Sequence, residues 1–527
     1  MRLIHCIPVV LASCCGVRAV DEQNGFGEQI IFDDDVAFNE RAGNVKQVAI
    51  VGAGAGGAST AYHLSQYATA ANIPINISIF ERNSYVGGRT TTVNAWDDPT
   101  KPVELGGSIF VKVNKILNYA VETFNLSTRQ ESSAGVPGAA LAVWDGQEFV
   151  FVQEGNYGWW DTAKLLWKYG TAPIRTMRLM RTVVGKFLEM YDAPVFPFES
   201  LTEVAHDLGL LAVTAATGEQ YLAENDITGA FVKDIISAST RVNYATNVRY
   251  IHGLEAMVCM AAEDAHAVHG GNWQMFDRMI EASNAKLYLD NAVTGIHPPA
   301  ESGSLTVDTQ STDSDDPIHG GTFDEVVIAT PLQFANLRGD FDIDEIPYVQ
   351  LHVTLLTSPH LLSPAFFNLS SEKPVPKIIL TVLPSDEEPK DGPDGVGSPG
   401  FFSISLLDPA VNPETNGQEY IYKIFSSEPP NSKFLSGMLG FQQPEGDSDD
   451  DISEKDISWM FRKLWDSYPY EFPRVTFEKI KLGDGLWYTS GMDSFISTME
   501  TNALMGKNVA RLIVDEWVGK RQASLQL

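Results

Sequence analysis

The feature that most constrains this chain is a strand, a glycine-rich turn, a helix, a second strand and an acid in direct succession. The apolar run 47–51 is of strand length, and Ile75–Phe80 alternates as a strand does and ends beside Glu81. The turn after the first run has the spacing G-x-G-x-x-G, with its glycines at Gly52, Gly54 and Gly57. This order of elements is typical of a Rossmann-type nucleotide-binding unit.

Each glycine of the turn has a physical task in such a unit. The first permits the tight turn, the second lets the backbone approach a pyrophosphate, and the third allows close helix packing. The pyrophosphate then lies at the positive N-terminal end of the helix. Glu81 is placed to accept hydrogen bonds from the ribose hydroxyls of an adenosine. We therefore predict dinucleotide binding, and a purely structural glycine-rich turn is the alternative.

Two further glycine pairs favour FAD over a nicotinamide cofactor. Gly87-Gly88-Arg89 follows Glu81 closely, and Glu104-Leu105-Gly106-Gly107-Ser108 comes next. In flavoproteins of the amine oxidase and desaturase type, the first pair lets backbone amides and an arginine reach the phosphates, and the second lies beside the flavin. Alone, each pair could be an ordinary turn. The predicted cofactor-binding residues from these motifs are Gly52, Gly54, Gly57, Glu81, Arg82, Gly88, Arg89, Gly106, Gly107 and Ser108.

Residues 1–19 are predicted to be a targeting signal. Residues 1–19 combine a basic start, an apolar stretch and small residues before a cleavage site, so they indicate a signal peptide, followed by an acidic leader at 20–45. Removal of 1–19 leaves Cys259, in a predicted helix at 248–267, and excludes an intramolecular disulfide. Asn125 and Asn368 are candidate glycosylation sites, whereas Asn76 is discounted because its strand is expected to be buried. The predicted signal peptide indicates that the protein enters the secretory pathway, with a lysosomal, vacuolar or secreted destination.

Charge narrows the choice of partners. The chain has 37 Lys and Arg against 68 Asp and Glu, which opposes binding to nucleic acid. A basic helical stretch at 164–186 is the exception, and we predict that it contacts anionic membranes peripherally, with Leu165, Leu166, Trp167 and Leu179 entering the interface. The alternative is a salt-bridged outer face. Ten His residues show no ligand spacing, so no metal site is expected.

Several longer segments resemble one family. In addition to the glycine motifs, the sequence resembles the prenylcysteine oxidase family, also called prenylcysteine lyase, over roughly 46–517. The distinctive segments are Arg241-Val-Asn-Tyr, His269-Gly-Gly-Asn, Ile328-Ala-Thr-Pro-Leu, Tyr422-Lys-Ile-Phe-Ser and Met499-Glu. The resemblance implies an FAD-dependent thioether oxidase that uses oxygen. Such an enzyme converts farnesyl- or geranylgeranyl-cysteine to cysteine, a prenyl aldehyde and hydrogen peroxide.

The resemblance also suggests residues around the flavin. Asn243, Tyr244 and Asn272 are candidates for the wall of the flavin and substrate cavity, with a structural turn as the alternative for each. Met499 and Glu500 begin the last helix, where backbone amides can face the flavin pyrimidine oxygen. Val293 is expected either to contact adenine through its backbone or to be an ordinary core residue. No recognised motif for covalent flavin attachment is present, so FAD is predicted to be bound non-covalently.

The predicted fold class is α/β, with a Rossmann-type FAD-binding domain of amine oxidase-like architecture and an interleaved α+β substrate domain. The FAD-binding domain is assigned to 46–130, 269–335 and 481–517, and the substrate domain to 131–268 and 336–480. Two alternatives to the thioether oxidase remain open. One is a flavin amine or amino-acid oxidase, and the other is a non-enzymatic prenyl-binding protein with the related fold of the GDP dissociation inhibitors.

Overall fold

The computed structural model describes residues 45–129, 136–153, 159–297, 303–312, 317–339, 341–442 and 452–525. The predicted signal peptide at 1–19 lies outside the described residues, as does the predicted leader at 20–45 except for its last residue. None of the described helices is both long enough and apolar enough to cross a membrane.

The strands belong to two large sheets and several small ones. They are β1 (Lys46–Val51), β2 (Ile75–Phe80), β3 (Thr92–Asn94), β4 (Pro102–Glu104), β5 (Thr128–Arg129), β6 (Leu141–Trp144), β7 (Phe149–Gln153), β8 (Ala267–Val268), β9 (Lys286–Tyr288), β10 (Asn291–His297), β11 (Leu305–Ser311), β12 (Pro317–Phe323), β13 (Glu325–Ile328), β14 (Tyr348–Ser358), β15 (Ile378–Thr381), β16 (Ser403–Val411), β17 (Gln418–Ser426), β18 (Trp459–Pro469), β19 (Lys481–Gly483) and β20 (Leu486–Tyr488).

The α-helices cover the sheets and form a helical region between them. They are α1 (Ala55–Ala70), α2 (Lys115–Thr123), α3 (Trp159–Tyr169), α4 (Ala172–Leu188), α5 (Leu201–Asp207), α6 (Leu211–Thr214), α7 (Gly218–Glu224), α8 (Ser237–Tyr244), α9 (Gly253–Val258), α10 (Trp273–Ser283), α11 (Leu332–Ala335), α12 (Ser432–Leu439) and α13 (Met499–Leu525).

The first large sheet has six strands in the order β19-β20-β13-β1-β2-β9. Its strands are parallel except for β19, which pairs antiparallel with β20. The central strand β1 is a nearly continuous apolar run, as expected for a strand covered on both faces, and Val48, Ala49 and Ile50 are fully buried. Helices α1, α10 and α13 pack together against this sheet. The predicted Rossmann-type unit is confirmed.

The second large sheet has seven strands in the order β18-β14-β17-β16-β15-β6-β7. Its pairs are antiparallel except for β15 with β6. All strands of the six-stranded sheet lie in the three segments assigned to the FAD-binding domain, and all strands of the seven-stranded sheet lie in the two assigned to the substrate domain. The two sheets are therefore interleaved along the chain, although the domain boundaries themselves stay predictions.

Two sequence-based predictions are wrong. The helix predicted at 248–267 is only the short α9, which ends before Cys259, because the chain turns there and returns as β8 to pair with β5. Asn76 was expected to be buried with its strand, but its side chain is exposed because it faces away from the packed face of β2. The apolar pattern predicted a helix that is too long, because apolar residues in a buried loop resemble those of a buried helix.

Candidate functional site

The glycine-rich turn between β1 and α1 is shaped by close backbone contacts. Gly52 has a φ of 104°, in the region that favours glycine, and an added Cβ would lie 3.0 Å from the Ala329 carbonyl oxygen. A Cβ on Gly57 would lie 1.9 Å from the Gly52 carbonyl oxygen. The first and third glycines are thus required by the turn and by the packing of α1 on the strand, as the sequence predicted.

Gly54 is different, because no described residue comes close to the position of its missing Cβ. An added Cβ would meet only the Gly87 oxygen at 3.9 Å and the Gly88 Cα at 4.0 Å. Gly54 is the N-cap of α1, and no side chain caps the first backbone N–H groups of this helix. Gly54, Ala55 and Gly56 line a cavity. The open space in front of an uncapped helix N-terminus fits the pyrophosphate of a dinucleotide.

Glu81 stands at the carboxyl end of β2, buried, and lines the same cavity. Its Oε2 accepts the backbone N–H of Ala53 at 2.9 Å, and its Oε1 accepts the backbone and side-chain N–H groups of Asn83 at 2.9 and 2.7 Å. These bonds fix the carboxylate next to the glycine turn, where it can accept ribose hydroxyls. The neighbouring Arg82 also lines the cavity, and its Nη1 donates to the Phe334 oxygen at 2.5 Å.

The second glycine motif brings Arg89 to the cavity wall, where an aspartate holds it. Gly88 lies next to the turn, since its added Cβ would be 3.5 Å from the Gly54 Cα. Arg89 Nη2 donates to both oxygens of Asp493, at 3.2 and 2.9 Å, and its Nη1 donates to the Ser467 oxygen. Asp493 is fully buried and also accepts the Tyr348 hydroxyl at 2.6 Å. The guanidinium is therefore positioned by an anion that sequence motifs did not indicate.

The third glycine motif packs against the start of α13. A Cβ on Gly106 would lie 1.9 Å from the Arg89 oxygen, and one on Gly107 would lie 3.0 Å from Met499 Sδ. Ser108 Oγ accepts the Nζ of Lys423 at 2.8 Å. Lys423 is buried and lines the cavity, and sequence reasoning did not single it out although it lies within the segment Tyr422-Lys-Ile-Phe-Ser.

Glu500 lines the cavity, but its carboxylate is turned towards another helix. Its Oε1 and Oε2 accept the backbone N–H groups of Ile116 and Leu117, at 2.9 and 3.0 Å, at the N-terminus of α2. Burial raises its pKa in spite of these bonds. The side chain thus joins α13 to α2, which leaves the backbone of Met499 and Glu500 as the part that can face a flavin.

The cavity that contains these residues has a volume of about 950 Å³ and extends well beyond the glycine turns. Its far part lies between the seven-stranded sheet and helices α4 and α8. Apolar side chains from both walls line it: Leu141, Val184, Phe187, Leu188, Val242, Leu351, Val353, Ile378, Leu380, Ile421 and Phe425. A nucleotide cradle and a long apolar chamber therefore form one continuous space.

Two of the three candidate wall residues line this cavity. Asn243 donates its Nδ2 to the Ser239 oxygen at 2.9 Å, and the Tyr244 hydroxyl donates to the Ser497 oxygen at 2.9 Å. Asn272 is fully buried behind the wall, where its Nδ2 donates to the Gly107 oxygen at 2.9 Å. It supports the Gly106-Gly107-Ser108 turn from outside the cavity. Val293 packs in the core around β10 and β11, and a backbone contact to adenine stays a prediction.

A buried acidic cluster adjoins the wall behind Tyr244 and was missed from sequence. Glu255, Glu471 and His252 are almost wholly excluded from solvent. His252 Nδ1 accepts the backbone N–H of Glu255, so Nε2 carries the proton and donates to Glu471 Oε2 at 3.1 Å. Burial lowers the pKa of His252 to about 4, which keeps it neutral. Ser497 donates its N–H to Glu255 Oε2 at 3.2 Å and connects the cluster to the cavity.

Both carboxyl groups of this cluster have raised pKa values. Burial, and then the neighbouring Glu471, raises the pKa of Glu255 to about 8, and burial and Asp493 raise the pKa of Glu471 well above its ordinary range. One oxygen of each carboxyl group, Oε1, lacks a hydrogen-bond partner among the described residues. A pKa of about 8, raised chiefly by burial, favours the protonated form of Glu255 at neutral pH.

Arg241, the first residue of the segment Arg241-Val-Asn-Tyr, joins α8 to the seven-stranded sheet. It is fully buried, and its guanidinium donates to the Thr381 and Gly395 oxygens and to Asn247 Oδ1, among other acceptors. The ring of Phe402 lies 5.2 Å from the guanidinium. Arg241 therefore supports the chamber wall rather than lining the cavity.

Within the ranges that the structure describes, no group of three or more His, Cys, Asp or Glu side chains could hold a metal ion.

Comparison with known proteins identifies the family to which this chain belongs. The model of a family described as prenylcysteine lyase matches residues 152–526, which is more than half of the chain. The chain belongs to the prenylcysteine lyase family. An NAD(P)-binding Rossmann-like domain model matches residues 50–123, where the cradle lies.

Individual relatives agree over nearly the whole length. The chain is 29% identical to farnesylcysteine lyase of Arabidopsis thaliana and 28% identical to prenylcysteine oxidase 1 of Homo sapiens, in each case over 90% of both chains. Among solved structures, cyclohexylamine oxidase from Brevibacterium oxydans superimposes with a TM-score of 0.53 at 16% identity, and covers 90% of this chain and 100% of its own. The fold class predicted from sequence is confirmed by this likeness, which at such identity concerns the fold alone.

Proposed function

We propose that the protein is an FAD-dependent oxidase that cleaves the thioether of prenylcysteines. The observation that carries the proposal is the continuity of the cradle at Gly54 with an apolar chamber in one cavity of about 950 Å³. The family membership and the names of the relatives, farnesylcysteine lyase and prenylcysteine oxidase, support the same substrate class. The products are the prenyl aldehyde, cysteine and hydrogen peroxide.

The proposed overall reaction consumes one thioether, one oxygen molecule and one water for each set of three products. Bound FAD supplies the hydride acceptor for the carbon next to sulfur. The protein holds that cofactor through the space at Gly54, the α1 N-terminus and Glu81, and it holds the prenyl chain through the apolar walls. By excluding water and aligning the reacting carbon, these walls contribute position rather than acid–base chemistry.

The two alternatives are less well supported. The solved amine oxidase shares the fold, but a chamber with apolar side chains on both walls favours a long apolar substrate over a small polar amine. The open space at Gly54 and the fixed Glu81 favour a nucleotide cofactor over a cofactor-free binding protein.

The function is tested by incubating the purified protein with farnesylcysteine and with a simple primary amine. We expect aldehyde, cysteine and peroxide in equal amounts from the thioether, and slower turnover when deuterium replaces hydrogen on the carbon next to sulfur. Brisk turnover of the amine without cleavage of the thioether would reject the proposal in favour of amine oxidation.

The attachment of FAD is proposed to be non-covalent. Cys259 is buried and lines the cavity, but burial raises the pKa of its thiol well above the ordinary range, and the thiolate is the reactive form. Acid precipitation should therefore release all yellow colour to the supernatant, from the wild type and from Cys259→Ser alike. Colour retained in the wild-type pellet but lost from the variant would show a covalent link.

We also propose peripheral contact with anionic membranes through α3 and α4. The Trp167 side chain is 92% exposed, and Arg175 and Arg178 on α4 are exposed, while the opposite face of α4 lines the cavity through Phe187. Leu165 does not contribute as predicted, because it is buried in the core. Lys168 and Arg175 form ion pairs with Asp234 and Asp226, so part of the positive charge is already compensated, as in the salt-bridged alternative.

This contact is tested by co-sedimentation with phosphatidylserine vesicles. Binding should fall with salt and in a Trp167→Ala, Arg178→Gln double variant, whereas Arg249→Gln, on another exposed surface, should bind as the wild type does. Binding that is insensitive to salt and to the double variant would reject membrane contact by this surface.

A secretory destination, with a lysosome, a vacuole or the medium as its end, is proposed from the predicted signal peptide at 1–19. Asn125 and Asn368 are both exposed, as attached glycans require, and so is Asn76. Glycosidase treatment of the protein from secretory cells should lower its apparent mass. An unchanged mass together with retention of residues 1–19 at the N-terminus would contradict the proposal.

A further inference from the structure

An ion pair lies inside the cavity, outside the motifs assigned to the cofactor. Arg129, the last residue of β5, donates from Nη1 to Asp408 Oδ2 at 3.0 Å, and both residues line the cavity. The strand β5 pairs with β8, whereas Asp408 belongs to β16 of the seven-stranded sheet. The pair therefore joins the two-stranded β5-β8 sheet to the seven-stranded sheet within the cavity.

The local fold places Asp408 on the cavity side of its strand. Ser403, Ser405 and Leu407 alternate towards the cavity, and an irregularity between Leu406 and Pro409 turns Asp408 to the same side. Without that irregularity, strict alternation would point Asp408 to the other face of the sheet. The carboxylate is thus brought to the cavity by a local departure from regular strand geometry.

The pair is only partly solvated and only partly satisfied. The side chains of Arg129 and Asp408 are 34% and 39% exposed. Burial raises the pKa of Asp408 although Arg129 opposes the change. Arg129 Nε is buried and has no acceptor among the described residues. A ligand with opposite charges close together would restore the interactions that the pair lacks.

The pair also stands at a suitable distance from the flavin-side turn. Ser405 lies opposite Lys423 in the sheet, and Lys423 contacts Ser108 of the Gly106-Gly107-Ser108 turn. Asp408 is three residues further along the same strand, so its Cα lies at most about 10 Å from that of Ser405, at about 3.3 Å per residue. A long side chain from Arg129 and the extended backbone of an amino acid can bridge much of that distance.

We propose that Arg129 and Asp408 form the subsite for the amino-acid end of the thioether substrate. The guanidinium takes the α-carboxylate and the Asp408 carboxylate takes the α-ammonium group, so the ion pair of the protein is exchanged for two pairs with the zwitterion. This assignment rests on the proposed function. It makes Arg129 and Asp408 specificity residues that distinguish a free amino acid from a peptide or a blocked derivative.

The experiment measures binding separately from turnover. Affinities of S-farnesyl-cysteine, its N-acetyl derivative and its methyl ester are determined by calorimetry, without oxygen and with the flavin of the holoenzyme already reduced, so that no ligand is consumed. The wild type should bind each blocked derivative about 10- to 100-fold more weakly than the zwitterion. Asp408→Asn should bind the zwitterion and the ester more weakly than the wild type does, by the same factor, and should bind the N-acetyl derivative with unchanged affinity. Arg129→Gln should bind the zwitterion and the N-acetyl derivative more weakly by this factor, and should bind the ester with unchanged affinity.

A matched control comes from another ion pair of similar exposure. Lys115 Nζ and Asp192 Oδ2 are 2.7 Å apart and do not line the cavity, so Asp192→Asn should leave all three affinities unchanged. Equal weakening of all three ligands by Asp408→Asn, or an unchanged affinity for the zwitterion, would overturn the subsite. If the pattern of affinities holds but no thioether is cleaved aerobically, the proposed function fails and the subsite stands. If the thioether is cleaved but the three ligands bind with equal affinity, the proposed function stands and the subsite fails.

Discussion

Replacing Glu255 by glutamine should stabilise the protein at neutral pH, although the residue is fully buried and hydrogen-bonded. Glutamine has the shape of a protonated glutamate, so it can still accept the Ser497 N–H and lie beside Tyr244. The substitution removes a group that takes up a proton when the protein folds between pH 4.5 and 8. The proton uptake results from burial of Glu255 and from the neighbouring Glu471.

The size of the effect follows from the shifted pKa. Glu255 has a pKa of about 8 in the folded protein against an ordinary value of 4.5, so between these limits the folded state binds a proton that the unfolded state has released. Because the folded pKa is raised, the wild type loses stability as the pH increases from 4.5 to 8, at up to about 1.4 kcal/mol per pH unit. The loss reaches at most about 3 kcal/mol at pH 7 and about 4 kcal/mol at pH 8, where the folded group is itself half ionised. Below pH 4.5 both states are protonated and the substitution has no such effect.

The assay is urea unfolding of the wild type and of Glu255→Gln at pH 4.5, 6, 7 and 8. The difference in free energy of unfolding should increase steadily with pH in favour of the variant. Glu122→Gln, a substitution of the same kind at an exposed position of α2, serves as the control and should follow the wild type. Parallel pH dependence of wild type and Glu255→Gln, or a variant that is less stable at pH 8, would refute the assignment of a protonated Glu255.

Further substitutions separate cofactor binding from folding. Gly54→Val should keep the melting temperature of the apoprotein within a few degrees yet lose FAD on dialysis, because its side chain enters space that only a ligand would fill; retained flavin would contradict the cradle. Gly57→Ala should instead impair folding itself, since its Cβ would lie 1.9 Å from the Gly52 oxygen, and an unchanged melting temperature would count against this packing. Arg241→Met should lower the free energy of unfolding by at least about 3 kcal/mol, as several buried acceptors lose their donor. An effect below about 1 kcal/mol in urea unfolding would show that solvent replaces those bonds.

The sequence by itself determined the nucleotide cradle and the fold class. The turn at Gly52, the following helix and Glu81 are close along the chain, and their spacing fixes their geometry once the strand and helix form. Phosphate binding depends on backbone N–H groups and on the absence of side chains, both of which glycine positions report directly. The two glycine pairs after Glu81 extended the same argument to the flavin-side turn.

Only the tertiary structure decided the chamber and the groups around it. Glu255 and Glu471, or Arg129 and Asp408, are far apart in sequence, and neither pair has a spacing that announces the contact. The helix predicted at 248–267 was wrong for a related reason, because buried loops and buried helices share apolar composition. Burial is a property of the whole assembly of elements. The protonation of Glu255 and the partial desolvation of Arg129 therefore follow from packing that no local pattern records.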